Sequence, residues 1–141
     1  MASQNVQEFI EAPAEAVWEL LSDFGGLQKY AHPGFVIGCD CDGSGVGALR
    51  TVTMADGSQV LERLERLEKD ARRLSYSILG ECKFPVKDYL ATVKVTSLGE
   101  KRCQVDWQST FEALGPTADL EELFRGVYTG GVIGIRKRLG V

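Results

Sequence analysis

The sequence predicts an α+β domain in which a seven-stranded antiparallel sheet wraps around one long C-terminal helix. Two observations predict the sheet: residues 86–97 alternate apolar and polar side chains, and residues 103–112 alternate more strictly. Such period-two alternation in consecutive strands indicates an antiparallel meander with one dry face and one wet face. A third observation predicts the helix, because apolar residues recur at helical spacing after Gly115-Pro116.

The length and the net charge of the chain exclude some classes of partner and location. At 141 residues it is expected to form one domain spanning residues 1–141, with 44% hydrophobic and 26% charged residues, as in soluble proteins. A net charge of −4 argues against a nucleic acid or an anionic membrane as a partner. The N-terminus MASQNVQEF lacks the features of a signal peptide, and no apolar run approaches the roughly 20 residues of a membrane span. We therefore expect a cytoplasmic protein.

The histidine, the cysteines and the glycine-rich run of the chain do not have the spacing of known metal or nucleotide sites. His32 is the only histidine, and a surface turn is the better explanation for it. The glycine-rich run at 43–47 precedes a strand, whereas a dinucleotide site requires a helix there. No zinc-binding or CxxC spacing relates the four cysteines, which are expected to be reduced thiols: Cys39, Cys41, Cys82 and Cys103. We expect no metal and no cofactor.

The first third of the chain is predicted to form a strand, two short helices and a second strand. Residues 4–11 alternate weakly, and Pro13 begins a helix because proline is tolerated at the first helical position. The apolar residues that follow have helical spacing: Val17, Trp18, Leu20 and Leu21. Glycines 25 and 26 end or kink this helix, so a second short helix is expected over 24–30. A His-Pro-Gly turn then leads into a strand at 35–41.

A β-hairpin over residues 47–68 contains the charged pair on which the site prediction depends. Its pairing register decides which side chains share a face. A two-residue turn would place Arg50 opposite Arg63, and like charges directly opposite each other are destabilising. A three-residue loop with Gly57 in the left-handed conformation places Arg50 opposite Glu62 instead and joins the more apolar rows on one face. The sequence therefore predicts an ion pair on the buried side of the sheet.

The stretch LERLERLE at 61–68 is predicted to be a strand although its leucines recur at near-helical spacing. It starts directly after a hairpin turn, has no helix cap, and is closely followed by a turn at 69–71. The remaining strands are expected at 72–79, 86–97 and 103–112.

The last helix is predicted to run to about Leu139, with Thr117 or Asp119 as its cap. Its acidic start and basic end both suit the helix dipole. Its apolar side comprises Leu120, Leu123, Phe124, Val127, Tyr128, Val132 and Ile135.

Glycines recur every four residues along this helix, at 126, 130 and 134, with Gly131 beside them. Each costs on the order of 1 kcal/mol in a helix interior. The pattern indicates either space for a ligand or close packing against the sheet.

The order of these elements resembles the helix-grip fold of the START-like, or Bet v 1-like, superfamily. The stretch IEAPAEAVWELLSDFGGLQKY resembles the opening of polyketide cyclase/dehydrase-like (SRPBCC) proteins. The stretches GALRTVTMADGSQVLERLERLEKDARRLSYSIL and FPVKDYLATVKV resemble their central strands. The resemblance covers nearly the whole chain, but the fold hosts binders, transporters, cyclases and isomerases, so it does not select an activity.

Three phrases, LR, ERL and DYLATVKV, resemble the plant lachrymatory-factor-synthase-like branch of this superfamily. The resemblance implies that an arginine and a glutamate in the cavity handle a small sulfenic acid with tyrosines nearby, at Arg50, Glu62, Tyr76 and Tyr89. The chain departs from the branch in its GECKFPV loop and in its glycine-rich last helix, so the identity of the substrate does not carry over.

Arg50 and Glu62 are the candidate catalytic residues. A guanidinium can orient a polar group of a ligand, and a carboxyl group in an apolar pocket is suited to proton transfer. The alternative is a structural ion pair that only neutralises itself. Aromatic residues form the candidate ligand-binding wall: Tyr76, Tyr89, Trp107, Phe124 and Tyr128. Core packing explains each of them singly, but as a group they indicate a pocket.

Three functions are compatible with this pattern. The first is an enzyme that cyclises or isomerises a small hydrophobic molecule, with Glu62 as proton shuttle and Arg50 orienting the substrate. The second is a non-catalytic carrier or sensor of a hydrophobic ligand. The third is a protein-interaction module that uses the sheet surface. In each case a monomer or a homodimer is expected.

Overall fold

The computed structural model describes all residues 1–141. Seven strands and two α-helices are connected by short turns, and a short 3-10 helix at Phe24–Lys29 follows the first α-helix. The strands are β1 (Ala2–Ile10), β2 (Val36–Asp42), β3 (Leu49–Met54), β4 (Gln59–Glu68), β5 (Arg73–Leu79), β6 (Val86–Ser97) and β7 (Cys103–Ala113). The α-helices are α1 (Ala14–Ser22) and α2 (Thr117–Leu139). None of the helices is long and apolar enough to cross a membrane.

All seven strands belong to one antiparallel sheet with the order β1-β7-β6-β5-β4-β3-β2. In β7 the burial alternates residue by residue, because Cys103, Val105 and Trp107 face inward while their neighbours face outward. The long helix α2 packs against β1 and β7. Its buried side consists of Leu120, Phe124, Tyr128, Val132 and Ile135. The predicted α+β architecture is therefore confirmed.

The hairpin register predicted from charge is also confirmed. Arg50 lies opposite Glu62 in the β3–β4 pair. The amide of Gly57 donates to the carbonyl of Met54 at 2.9 Å, and Gly57 has a φ of 87°. The loop is thus the three-residue type with a left-handed glycine, which avoids the Arg50–Arg63 alternative.

The LERLERLE stretch is a strand, as predicted. Leu61 is 38% exposed on the outer face and Leu64 is 1% exposed on the inner face, since three residues is an odd step in a period-two strand. An irregularity between Leu64 and Arg66 then shifts the register with β5.

The predicted helix starts need correction. Pro13 precedes α1 instead of beginning it: its ψ of 141° is extended, and its carbonyl accepts the amides of Ala16 and Val17. Neither Thr117 nor Asp119 caps α2. Pro116 occupies the cap position without any side-chain hydrogen bond, so both residues lie inside the helix.

The helix glycines divide into two kinds. A Cβ at Gly126 or Gly130 would meet nothing within 4 Å, so these two positions border open space. A Cβ at Gly131 would lie 2.8 Å from the Trp107 ring, and one at Gly134 would overlap the carbonyl oxygen of Tyr30. The first pair fits the ligand-space alternative, and the second pair fits close packing.

This difference predicts opposite effects for one substitution in one helix. Gly134→Ala should destabilise the fold by about 2 kcal/mol, because the new methyl group overlaps backbone atoms that cannot rotate away. Gly130→Ala should leave stability unchanged or raise it by up to about 1 kcal/mol, since it gains helix propensity without a clash. Urea unfolding followed by circular dichroism measures both. Equal stability of the two variants would show that the Tyr30 contact is not tight.

Candidate functional site

A cavity of about 1090 Å³ lies between α2 and the inner face of the sheet. Seventeen of its 30 lining residues are hydrophobic, so its surface suits an apolar molecule. A cluster of four buried side chains forms one apolar wall: Val36, Val52, Met54 and Val60. The exposed lining residues include His32 and Pro33 on the turn before β2 and Lys137 and Arg138 on α2. The mouth therefore lies between that turn and the helix.

The predicted ion pair forms part of the cavity lining. Arg50 Nε donates to Glu62 Oε1 at 2.7 Å, and the two side chains are only 7% and 13% exposed. Arg50 Nη1 donates to the carbonyl of Phe24 at 3.1 Å. The guanidinium carbon lies 4.0 Å from the centroid of the Phe24 ring and 5.0 Å from that of Tyr76. Cation–π attraction to both rings therefore supplements the ion pair.

Charge pairing keeps Arg50 protonated inside this apolar region. Burial by itself lowers the pKa of the guanidinium. The nearby Glu62 carboxylate raises this pKa, and Tyr30 and Tyr76 raise it further, so that the net shift is upward. Removing either partner of a buried pair typically costs 3–5 kcal/mol, because the other charge is left uncompensated. The two residues therefore act as one electrically neutral unit.

Parts of this pair have no protein partner. Arg50 uses Nε and Nη1, which leaves Nη2 without an acceptor, and Glu62 Oε2 receives no hydrogen bond from the protein. The only side-chain oxygen or nitrogen that is both sealed from the surroundings and unpartnered is Ser109 Oγ. The free edges of Arg50 and Glu62 are therefore accessible, and the accessible space beside them is the cavity.

Four of the five predicted aromatic residues line the cavity: Tyr76, Tyr89, Trp107 and Phe124. Tyr128 does not. It is fully buried, stacks on Trp107 at 5.4 Å between ring centroids and 11° between planes, and its hydroxyl is hydrogen-bonded to that of Tyr89. It supports two lining residues from behind, and the ligand-binding role of the other four stays a prediction.

Two residues of the site were missed by the sequence analysis. Phe24 supplies a ring and a carbonyl to Arg50, and Tyr30 lines the cavity while only 6% exposed. Phe24 begins the 3-10 helix and Tyr30 follows its last residue, so both lie in the stretch 24–30 that was predicted to form a second short helix. An aromatic residue at each end of a glycine-containing short helix was the available signal, but its direction depends on contacts with β3 and α2.

The polar residues outside the pair do not build a second centre. His32 is exposed at the mouth, where its Nδ1 accepts the amide of Gly34 at 2.9 Å. All four cysteines are free thiols. No group of three or more His, Cys, Asp or Glu side chains is arranged to hold a metal ion.

All four tyrosines of the chain are buried, and their burial makes the stability of the fold depend on pH in the alkaline range. Burial raises the pKa of Tyr30 and of Tyr128 to about 12, and raises the pKa of Tyr76 and of Tyr89 well above 10. The folded state therefore retains protons that the unfolded chain releases near pH 10. The resulting stabilisation is complete below pH 10 and is lost as the pH rises towards 12 and beyond.

We expect near-ultraviolet absorbance to show no tyrosine ionisation near pH 10 in the folded protein, whereas the urea-unfolded chain should ionise all four there. The free energy of unfolding should fall steadily between pH 10 and 12. A normal ionisation step for even one tyrosine in the folded state would contradict the burial of that side chain.

A family model and two sequence relatives match this chain. The family described as "Polyketide cyclase / dehydrase and lipid transport" matches residues 1–140. The chain is 37% identical to the abscisic acid receptor PYL2 of Arabidopsis thaliana over 100 residues, which cover 67% of this chain and 50% of the receptor. It is 38% identical to the receptor PYL6 over 81 residues, 53% of this chain and 37% of that receptor. The matches thus span half or less of these relatives.

Solved structures agree over nearly the whole chain. XoxI from Bacillus cereus superposes with a TM-score of 0.87 at 27% identity, covering 97% of this chain and 94% of XoxI. A protein from Thermobifida fusca gives 0.84 at 28% identity, covering 99% and 94%. Norcoclaurine synthase from Thalictrum flavum, solved with dopamine and hydroxybenzaldehyde, gives 0.79 at 17% identity, covering 97% and 85%, and shows the fold alone.

The finer resemblance to the lachrymatory-factor-synthase-like branch stays a prediction, whereas the resemblance to the superfamily is confirmed. The family match over residues 1–140, together with the seven-stranded sheet and its long helix, shows that the chain belongs to the polyketide cyclase/dehydrase and lipid transport family of the Bet v 1-like superfamily.

Proposed function

We propose that this chain binds a small, largely apolar molecule in the cavity between α2 and the sheet. The observation that carries the proposal is the cavity itself, about 1090 Å³ in volume, with a mainly hydrophobic lining and one neutral ion pair in its wall. The family suggests binding of a hydrophobic ligand. Two relatives are named receptors of abscisic acid, a small molecule, which is consistent with the proposal.

The composition of α2 supports the same conclusion. Gly126 and Gly130 both line the cavity and both face open space. A larger apolar residue at either position would fill part of that space and would also favour the helix. Stability alone therefore favours other residues here, whereas binding a ligand in the space beside the helix explains two glycines.

Binding can be tested with N-phenyl-1-naphthylamine, an uncharged dye whose fluorescence rises in apolar surroundings. The wild-type protein should bind it at one site with micromolar affinity. Gly130→Leu should weaken binding about tenfold or more, because the added side chain occupies the cavity. Lys94→Glu, on the outer face of β6, is the matched control and should leave binding unchanged. Equal binding by Gly130→Leu and wild type would place the dye elsewhere.

A second candidate function is proton-transfer catalysis, favoured by the position of Glu62. Its Oε2 has no protein partner and faces the cavity, while its Oε1 is held by Arg50. A fixed carboxylate with one free oxygen can accept a proton from a bound molecule, and Arg50 Nη2 beside it can orient a polar group of that molecule. Cyclisation and isomerisation are reactions that such a pair supports.

Glu62→Gln separates catalysis from binding. For any compound that displaces the dye, incubation with the wild-type protein followed by liquid chromatography and mass spectrometry should reveal a product. Glu62→Gln should reduce its formation about 100-fold or more while affinity changes little. Unchanged turnover would exclude Glu62 as the proton shuttle. If every bound compound is recovered unaltered, the protein is better explained as a carrier or sensor. If binding of a partner protein is weakened by Lys94→Glu but not by the cavity substitutions, an interaction module is favoured.

A further inference from the structure

We propose that Tyr30, Tyr76 and the free edge of Arg50 form a donor subsite for an uncharged carbonyl oxygen of the cavity ligand. We further propose that Trp107 is a positioning residue, which directs the hydroxyl proton of Tyr76 towards that oxygen. The inference rests on the proposed binding function and adds the chemical class of the ligand.

The direction of the Tyr76 hydroxyl follows from its contact with Trp107. The indole Nε1 lies 3.1 Å from the Tyr76 hydroxyl oxygen. An indole N–H can only donate, so the tyrosine oxygen must accept, and the tyrosine's own proton points elsewhere. The hydroxyl makes no second hydrogen bond with the protein. Because both residues line the cavity, the proton is available to a ligand there.

Tyr30 provides a second free donor. Its side chain is 6% exposed and lines the cavity, yet its hydroxyl makes no hydrogen bond with the protein. Ser109 Oγ is the only side-chain oxygen or nitrogen that is both fully buried and without a partner. The unpartnered Tyr30 hydroxyl is therefore not fully buried, and it is accessible from the cavity. Burial also raises the pKa of Tyr30 and of Tyr76, so both hydroxyls keep their protons at neutral pH.

Arg50 relates the two tyrosines to each other. Its guanidinium carbon lies 5.0 Å from the Tyr76 ring centroid, and Nη2 is the edge without a protein acceptor. Tyr30, Tyr76 and Arg50 all line the same cavity. The free groups of Arg50, Tyr30 and Tyr76 are hydrogen-bond donors, which suit an oxygen that only accepts, and Glu62 Oε2 is the one free acceptor beside them.

Charge balance argues for an uncharged ligand at this position. Arg50 is already neutralised by Glu62 at 2.7 Å. A carboxylate bound to Arg50 would lie close to Glu62, and an ammonium group bound to Glu62 would lie close to Arg50. Either would add an uncompensated charge in an apolar region, which is costly. The remaining charged lining residues, Lys29, Glu122, Lys137 and Arg138, are solvated at the rim. A ketone or aldehyde adds no charge.

The test compares 2-acetylnaphthalene with 2-isopropenylnaphthalene, a hydrocarbon of closely similar planar shape in which a CH2 group replaces the carbonyl oxygen. Both are measured by displacement of N-phenyl-1-naphthylamine. Tyr30→Phe and Tyr76→Phe should each weaken binding of the ketone about fivefold, the value of one hydrogen bond, and leave the hydrocarbon unaffected. Phe124→Leu is the control for an apolar lining residue, and it should affect both compounds alike. Loss of both compounds in the tyrosine variants would indicate a structural role and would overturn the subsite.

The frequency of the infrared carbonyl band of bound 2-acetylnaphthalene reports hydrogen bonding to the carbonyl oxygen and does not depend on apolar packing alone. In the wild-type protein it should shift to lower frequency than in hexane, because hydrogen-bond donors polarise the carbonyl. Tyr76→Phe should reverse part of this shift, and Trp107→Phe should reduce it although residue 107 does not touch the oxygen. A band at the hexane position in the wild-type protein would overturn the proposal without any variant.

A charge comparison completes the test. 2-Naphthoate should displace the dye at least tenfold more weakly than the ketone. Tighter binding of the acid would replace the proposed ligand class with an anion. Failure of all three naphthalene compounds in a protein that binds the dye would overturn the donor subsite alone. Failure of the dye itself would overturn the proposed binding function.

Discussion

The ion pair between Arg50 and Glu62 is the interaction on which the rest of the site depends. It joins β3 to β4, and a shift of one residue would replace it with two facing arginines. The same guanidinium donates to the carbonyl of Phe24, so the pair also anchors the 3-10 helix to the sheet. Because an unpaired charge at this depth is costly, hairpin register, helix position and cavity wall depend on one another.

The cavity exists because α2 covers the sheet unevenly. The helix packs against β1 and β7, where Ile135, Val132 and Tyr128 are fully buried. On the other half of the sheet, β3, β4 and β5 turn their inner faces towards open space. Trp107 lies at the boundary, since Gly131 packs against its ring and its indole nitrogen reaches Tyr76 on β5. The filled core and the open cavity thus occupy different halves of one sheet face.

The sequence was sufficient for features set by local rules and insufficient for those set by long-range contacts. The hairpin register could be predicted because, of a two-residue and a three-residue turn, only the second avoids facing Arg50 with Arg63. Strands β6 and β7 could be predicted because their alternation is strict. Tyr30 could not be placed, because its position depends on the contact of its carbonyl with Gly134, more than a hundred residues away. Tyr128 was assigned to the cavity as one of a group of five aromatic residues, of which Phe124 shares its helix face. One turn further along, that face already lies over Trp107.

The ion pair is not explained by register alone. Replacing a buried pair with apolar residues of similar volume is often neutral or stabilising, so a hairpin that only needed its register could use valine and leucine, as its neighbours Val52 and Leu64 do. A purely structural pair would also be expected to satisfy its hydrogen-bonding groups within the protein. Here Arg50 Nη2, Glu62 Oε2 and the Tyr30 hydroxyl are left unpartnered at the cavity surface, whereas Ser109 Oγ is the only fully sealed side-chain oxygen or nitrogen without a partner. Polar groups left unused beside a cavity are available to a bound molecule, which a fully satisfied core ion pair would not offer.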